Sequence, residues 1–134
     1  MNRLKLSLIP IDGVAVERAR AALPDPELLA IVVEAFEALA DPTRARLLYA
    51  LIGSPLSVRD LAIVAGASES AVSHQLRLLR DRRLVVPTRD GKVVRYAVGG
   101  EHLQALFREA EYYADHLRRS SPQHTGHRAE LDRT

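Results

Sequence analysis

The segment "ASESAVSHQLRLLR", from Ala67 to Arg80, has the pattern of a helix with two chemically different faces. Its apolar residues Val72, Leu76 and Leu79 recur three and four positions apart, the spacing that places side chains on one side of an α-helix. Hydroxyl, imidazole and guanidinium groups fall between them. Ser68 is a candidate N-cap, because its hydroxyl can accept a hydrogen bond from an N–H group of the first turn. The segment therefore predicts an amphipathic helix that starts after Ser68 and buries one face.

The residues on either side of this helix complete an ordered set of elements. Ser57 can cap a short helix, "VRDLAIVAGA", that Gly66 ends. Two helices joined by a tight turn containing Gly form the helix-turn-helix pattern. After Arg83, "LVVPTRDGKVVRYAV" contains two β-branched runs around Asp90-Gly91, which predicts a β-hairpin. The order predicts a reading helix, as we call the helix that follows Ser68, with a hairpin wing directly behind it.

The rest of the chain is predicted to be helical, so the expected fold class is mainly α with a small β-hairpin (α+β). Pro and Gly residues interrupt runs of helical apolar spacing and set the other long helices at about 14–23, 27–40, 42–53 and 101–119. The predicted organisation is an N-terminal arm at 1–13, a winged helix-turn-helix domain at 14–119 and a flexible, histidine-containing C-terminal tail at 120–134.

Composition limits the kind of protein this can be. The 134 residues suffice for one domain, and the absence of cysteine excludes disulfides, thiolate metal sites and cysteine nucleophiles. No apolar run approaches the roughly 20 residues that cross a bilayer, and the N-terminus lacks a signal-peptide core. A cytoplasmic protein without a membrane partner is therefore expected. The net charge is only +2, but residues 77–95 hold six arginines and one lysine against two aspartates.

The exposed side of the reading helix carries groups suited to DNA. Short hydroxyl side chains near a helix N-terminus allow close approach to a phosphate or a base edge, whereas Gln75 suits adenine and Arg77 suits guanine or a phosphate. Basic residues at the hairpin tip suit the sugar-phosphate backbone. The predicted DNA-binding residues are Ser68, Ser70, Ser73, His74, Gln75, Arg77, Arg89, Lys92 and Arg95. The alternative interpretation is a solvated helix beside an ordinary hairpin.

The stretches "ALADPTRARLLYAL", "SVRDLA", "SESAVSHQLRLLRDRRLV" and "RDGKVVRYAV" resemble the ArsR/SmtB family of winged-helix transcriptional repressors, over roughly Phe36 to Leu117. The resemblance implies a homodimer formed through the first and last helices, with each reading helix in a major groove of a palindromic double-stranded operator. The last helix supports a dimer independently, because one small domain would struggle to cover its apolar stripe. The stripe consists of Leu103, Leu106, Phe107, Ala110, Ala114 and Leu117.

The resemblance also implies release of DNA by a metal or another inducer. One thiolate site of the family would fall on Ser57 and Arg59, so that site is absent here. A second site of the family lies on the last helix, where His102 and His116 share a face but stand about 21 Å apart along the axis. One helix cannot bring both onto one ion. Two such helices packed antiparallel across a dimer axis can, and Glu109 and Tyr113 lie on the same face between the histidines.

Zinc sensors of the family carry an Asp and a further His where this chain has Gly100 and Tyr113. The pattern is more similar to the nickel/cobalt-sensing, KmtR-like branch, whose ligands would here be His102, Asp115, His116 and His124, with His127 and Glu101 as candidate additions. Imidazole and carboxylate ligands suit octahedral nickel or cobalt. Asp115 could instead orient an imidazole. Zinc remains the alternative cofactor, and a metal-independent repressor remains the alternative function.

An enzyme is not expected. A metal hydrolase needs ligands that converge inside a pocket together with a base, and the candidate ligands here lie on one helix and its tail. A third class is an architectural DNA-binding dimer without an inducer. The sequence therefore predicts a metal-responsive repressor that binds operator DNA as a homodimer and is released by nickel or cobalt.

Overall fold

A computed structural model of the protein describes residues 8–120. Most of the predicted arm and nearly all of the predicted tail, including His124 and His127, lie outside this range. The chain divides into two compact units, and the boundary between Glu37 and Ala38 falls inside a helix. Of the helices within residues 8–120, none combines the length and the apolar character needed to span a membrane.

The first unit contains helix α1 (Gly13–Ala22) and most of helix α2 (Pro26–Leu39). Asp12 accepts the N–H of Ala15 at 3.0 Å, and Asp25 accepts the N–H of Leu28 at 2.9 Å, so both helices begin at aspartate caps. Neither helix buries a residue in the single chain. The exposed apolar side chains of α2 are Leu28, Leu29, Ile31, Val32, Val33 and Phe36.

The second unit contains the helix-turn-helix, the wing and the last helix. Its elements are α3 (Pro42–Gly53), β1 (Leu56–Ser57), α4 (Val58–Ala65), α5 (Glu69–Asp81), β2 (Val85–Asp90), β3 (Val93–Val98) and α6 (Glu101–Arg119). This confirms the predicted class, mainly helical with a small sheet. The sheet has one strand more than the predicted hairpin, because β1 pairs antiparallel with β3 and gives the order β1-β3-β2.

The core of the second unit joins side chains from almost all of its elements. Its buried members are Leu47, Leu48, Leu51, Leu61, Ala62, Val72, Leu76, Leu79, Val85, Leu103 and Phe107. Three of them come from α5 and two from α6. The reading helix and the last helix are therefore packed into one apolar cluster.

The wing turns one residue later than the Asp90-Gly91 signal indicated. Asp90 still pairs with Val93, so the two-residue loop is Gly91-Lys92. Gly91 has a φ of 63°. A two-residue loop with glycine first and a positive φ there matches a type II′ turn, whose twist suits a hairpin.

The two helices of the helix-turn-helix end in the same way with different residues. After α4, Gly66 adopts a φ of 64° and the N–H of Ala67 reaches the carbonyl of Ala62 at 3.1 Å. After α5, Arg83 adopts a φ of 59° and the N–H of Leu84 reaches the carbonyl of Leu79 at 2.9 Å. Both are Schellman motifs, which favour glycine at the left-handed position. The reading helix thus ends on an arginine in a conformation that glycine adopts without strain.

Candidate functional site

Helix α5 presents the polar face that the sequence predicted. Val72, Leu76 and Leu79 are buried, which fixes the rotation of the helix. The opposite side is exposed and carries Ser70, Ser73, His74 and Arg77. Because the buried side chains anchor one face to the core, these four groups are held outward as a set on a rigid element.

The first turn of α5 combines a cap with an ion pair to the preceding helix. The Ser68 hydroxyl oxygen accepts the N–H of Ala71 at 3.1 Å, which leaves its own proton free to be donated to a phosphate. Glu69 lies 3.7 Å from Arg59 of α4, with both side chains largely exposed. The sequence analysis noted Arg59 only because it occupies a position of the family's thiolate metal site, and it predicted no role for the arginine itself. The ion pair places a guanidinium beside the end of the helix that a nucleic acid would approach.

Gln75 differs from the rest of the predicted DNA-binding set. It lies about 100° round the helix from His74 and about 160° from Arg77, at 3.6 residues per turn. Its carboxamide oxygen is buried and has no hydrogen-bond partner within residues 8–120. In this conformation the oxygen does not face outward. Adenine recognition by Gln75 stays a prediction, and it requires the side chain to turn.

The wing carries its basic residues on two faces. Arg89 is paired across the sheet with Val94, whereas Arg95 is paired with Thr88, and directly opposed residues share a face. Arg89 and Arg95 therefore belong to opposite faces, with Lys92 in the turn between them. Arg95 also lies 3.5 Å from Asp90, a partner that sequence analysis did not consider.

Helix α6 is attached to the second unit by its first half. Leu103 and Phe107 are buried, and the Phe107 ring stacks against Tyr49 of α3 with ring centroids 4.5 Å apart. The phenol of Tyr49 also interacts with the Glu111 carboxylate. Partial burial of the phenol, together with this interaction and the negative charge of the carboxylate, raises the pKa of Tyr49. The sequence analysis did not identify the interaction between Tyr49 and Glu111. The helical spacing of residues 103, 107 and 111 indicates that these three share one face of α6, but no local pattern in the sequence indicates Tyr49 as their partner.

The two histidines of α6 are exposed, and both lie away from its buried face. His102 lines an open cleft of about 200 Å³ together with Arg83, Leu84, Gly99, Gly100 and Leu103. The first candidate ligand therefore lies in the same cleft as the residue that ends the reading helix. His116 lies in the last turn, beyond the last buried residue of α6.

Asp115 is engaged by arginines of its own helix. Its carboxylate oxygens lie 2.9 Å from Arg119 and 3.7 Å from Arg118. It is also about 100° round the helix from His116 and about 140° from His102. The spacing of Asp115 and Arg119, four residues apart, is a signal for this pair in the sequence.

Within the described part of one chain, no group of three or more His, Cys, Asp or Glu side chains is placed to hold a metal ion. The remaining candidates, His124 and His127, lie outside that part. The described residues of a single chain thus do not fit a metal ion. Ligands from elsewhere, a second chain or the tail, would be required.

Comparison with known proteins identifies the region that contains the helix-turn-helix as a known family. Residues 41–86 match the family described as "Bacterial regulatory protein, arsR family". The chain is 43% identical to the HTH-type transcriptional regulator NmtR of Mycobacterium tuberculosis, over 78% of this chain and 89% of the relative. It is 39% identical to KmtR of the same organism, over 80% of each chain. It is 47% identical to the transcriptional repressor SmtB homolog of Synechocystis, over 71% of this chain and 74% of the relative.

Solved structures of other proteins share the fold, among them the following two. One is the homodimeric winged helix-turn-helix DNA-binding domain of Mb0332 from Mycobacterium bovis, described as a possible ArsR-family regulator. It has a TM-score of 0.66 and 29% identity, and the match covers 74% of this chain and 94% of that one. The other is the cadmium metal-sensor CmtR of M. tuberculosis, with a TM-score of 0.52 and 42% identity over 57% of this chain and 80% of that one.

Proposed function

The chain belongs to the ArsR/SmtB family of winged helix-turn-helix transcription regulators, and from this premise we propose that it is a metal-responsive repressor that binds operator DNA as a homodimer and is released by nickel or cobalt. The family consists of regulators, not enzymes. The observation that carries the proposal is the outward polar face of α5, held by three buried side chains and followed directly by a basic wing.

The DNA-binding part is supported by the chemistry of that face. Ser70, His74 and Arg77 are exposed together, which suits hydrogen bonding to base edges and phosphates in a major groove. Opposite faces for Arg89 and Arg95 suit a wing that follows the backbone, where phosphates lie on both sides of the hairpin tip. Arg59 is an additional candidate for a phosphate contact, because its ion pair with Glu69 is exposed and therefore weak.

The homodimer is supported by apolar surface that one chain leaves uncovered. On α6, Leu106, Tyr113 and Leu117 are exposed along a single stripe. Contiguous exposed apolar surface of this kind is typical of protein interfaces. The homodimeric Mb0332 domain and the repressor relatives provide the comparison for this arrangement. The two subunits of the proposed homodimer would present their reading helices to the two half-sites of a palindromic operator.

The metal response is supported by the donor set and by relatives such as the cadmium sensor CmtR. His102 and His116 are exposed on one face of α6, next to the stripe proposed to meet the partner. In the proposed homodimer, each subunit would contribute these imidazoles, and Asp115, His124 and His127 are the further candidate ligands. Several nitrogen and oxygen donors of this type suit six-coordinate nickel or cobalt better than tetrahedral zinc.

The proposal is tested by a metal titration on a protein–DNA complex. A labelled duplex is first selected from a random-sequence pool with metal-free protein, and its release is then followed by fluorescence anisotropy with nickel, cobalt and zinc. Release by nickel or cobalt at lower free concentration than zinc supports the full proposal. Release by zinc alone identifies a zinc repressor, no release identifies a metal-independent regulator, and failure to select any duplex overturns DNA binding itself.

The ligand assignment is tested with three variants of α6. His116→Ala should abolish release while metal-free DNA binding persists, whereas Arg108→Ala, at an exposed position on the same helix, should leave release intact. Arg119→Ala separates the roles of Asp115. If the carboxylate binds metal, removing its 2.9 Å partner should tighten metal binding, because the ion no longer competes with a guanidinium. If Asp115 is not a ligand, metal affinity should not rise.

The contribution of the tail is tested by deletion after Ser121. Loss of His124 and His127 should impair the response to nickel and cobalt more than zinc binding, because six-coordination needs more donors than four. An undiminished response of the truncated protein would remove both histidines from the ligand set. The absorption spectrum of the cobalt complex provides a direct check, since weak d–d bands indicate six ligands and intense bands indicate four.

A further inference from the structure

Helix α6 carries a row of exposed side chains with the spacing of a coiled-coil seam. The row advances along the helix by four, three, four and three residues, which keeps its members on one side. Its members are His102, Leu106, Glu109, Tyr113 and His116, and each of them is exposed in the single chain. The residues that α6 buries, Leu103 and Phe107, lie about 100° and about 140° round the helix from His102. The row is therefore turned away from the core of its own winged unit.

Glu109 is the middle member of this row and its acidic one. The side chains three and four positions away on the same side of the helix carry no charge; they are Ala105, Leu106, Tyr112 and Tyr113. Within residues 8–120 of one chain, Glu109 makes no ion pair. Charged residues are depleted at the centre of protein interfaces. If α6 meets a second copy through this row, the interface must accommodate the uncompensated charge of Glu109.

Two-fold symmetry fixes the register in which this row can meet a second copy. In a two-fold antiparallel pair of identical helices, the numbers of any two opposed residues add up to the same total. The row spans residues 102–116, so it overlaps fully with its copy only when residue 109 lies on the axis. The same register sets His102 opposite His116 of the partner subunit, which is the pairing that the proposed metal response requires. A residue on the axis is opposite only itself.

We propose that α6 pairs with a second copy in this register, and that Glu109 faces Glu109 of the partner subunit across the two-fold axis as a repulsive pair that weakens the metal-free dimer. The inference rests on the proposed function, since it requires an antiparallel pair of α6 helices. Two like charges that face each other at an interface destabilise it. The histidines lie about 10.5 Å from the axis on either side, at 1.5 Å per residue, and Arg108 lies about 100° round the helix. No cation of α6 is therefore placed to neutralise the Glu109 pair.

Charge reversal at the axis tests the register. Because Glu109 faces only its own copy, the Glu109→Lys protein by itself should gain no stability as a dimer, since two lysines also repel each other. A mixture of equal amounts of Glu109→Lys and parent chains should instead favour the mixed dimer, in which a lysine faces a glutamate. Native mass spectrometry of metal-free, full-length chains, one of them carrying a small tag, measures the proportion. We expect the mixed dimer well above the proportion that random pairing gives.

The matched control is Arg108→Glu, which reverses a charge at the neighbouring exposed position but on another side of the helix. Its mixture with parent chains should show the random proportion of mixed dimer. A random proportion in the Glu109→Lys mixture as well would overturn the register while the homodimer itself stands. A parent protein that is monomeric throughout would instead overturn the proposed homodimer.

Removal of the charge tests the repulsion. Glu109→Gln keeps the size of the side chain and should tighten the metal-free dimer by at least about tenfold at low salt. Analytical ultracentrifugation at one fixed pH measures the dissociation constants. Because salt screens the repulsion, the parent dimer should tighten as the salt concentration rises from about 0.01 to about 0.5 M, and the Glu109→Gln dimer should respond less. A Glu109→Gln dimer no tighter than the parent at low salt would overturn the repulsive role of Glu109.

Discussion

The carbonyl oxygen of Arg83 lies 2.5 Å from the position that a Cβ atom on Gly99 would occupy. This close approach joins the end of the reading helix to the start of α6. The neighbouring atoms are backbone, the Arg83 and Leu84 carbonyl carbons at 3.5 Å, so no flexible side chain can move aside. Glycine is therefore required at position 99 because the neighbouring backbone leaves no room for a Cβ atom, and not because of the backbone angles of Gly99.

Gly99→Ala should destabilise the fold. Forcing a methyl group into packed backbone costs about 1–3 kcal/mol in the free energy of unfolding. Chemical denaturation monitored by circular dichroism measures the loss. Gly53→Ala is the matched control, because nothing lies within 4 Å of a Cβ there. A stability loss of the same size in both variants would contradict the contact with Arg83.

Arg83→Gly should stabilise the protein. A left-handed conformation costs an L-residue about 1–2 kcal/mol, and the extra chain entropy of glycine offsets about 0.5–1 kcal/mol of that, so a net gain of up to about 1.5 kcal/mol is expected. Arg83→Ala removes the same charge but keeps a Cβ at a φ of 59°, so it should show no such gain. Thermal unfolding compares the two variants. Equal melting temperatures would show that the left-handed backbone is not strained.

Gln75→Met should stabilise the free protein, because it replaces a buried, unpartnered oxygen with an apolar group of similar length. Leaving a buried acceptor unsatisfied costs about 1–3 kcal/mol, which sets the upper limit of the gain. Urea unfolding measures it, and a decrease in stability would mean that the oxygen does have a partner. The affinity of the same variant for its selected duplex then reports whether Gln75 turns outward to read adenine.

Alkaline pH should weaken the attachment of α6. The pKa of Tyr49 is raised in the folded state, so the protonated phenol is favoured there. The resulting stabilisation is fully present below the unfolded value near 10 and is lost as the pH rises through the higher folded value. Unfolding curves of the parent protein and Tyr49→Phe at increasing pH check this. The difference between the two should shrink above pH 10, and a constant difference would contradict the shift.

Arg77→Ala should weaken DNA binding without unfolding the helix. The side chain is exposed on α5, so its loss removes a contact to a base or phosphate worth about 1–3 kcal/mol but leaves the buried residues untouched. Arg20→Ala, which removes the same charge from α1, is the control. If Arg77 contacts a phosphate, the salt dependence of binding should also become shallower. Loss of helical circular dichroism in Arg77→Ala would show that the residue is structural.

Local signals in the sequence determined most of the fold. The helices, the Ser57 and Ser68 caps and the glycine end of α4 all agree with the structure. Each depends on residues within about one helical turn, because capping bonds and 3.6-residue periodicity are local. The buried and exposed faces of α5 followed from the same periodicity. The ArsR/SmtB assignment was accessible for the same reason, since its motifs occupy contiguous stretches.

Only the tertiary structure decided how distant residues meet. The pairing of β1 with β3 joins segments about 40 residues apart. The register of the wing assigns Arg89 and Arg95 to opposite faces, and a shift of one residue in that register would place them on the same face. The buried oxygen of Gln75 and the ring contact of Tyr49 with Phe107 likewise depend on elements that pack from elsewhere in the chain. Such contacts are set by packing of the whole unit, which no short window of sequence contains.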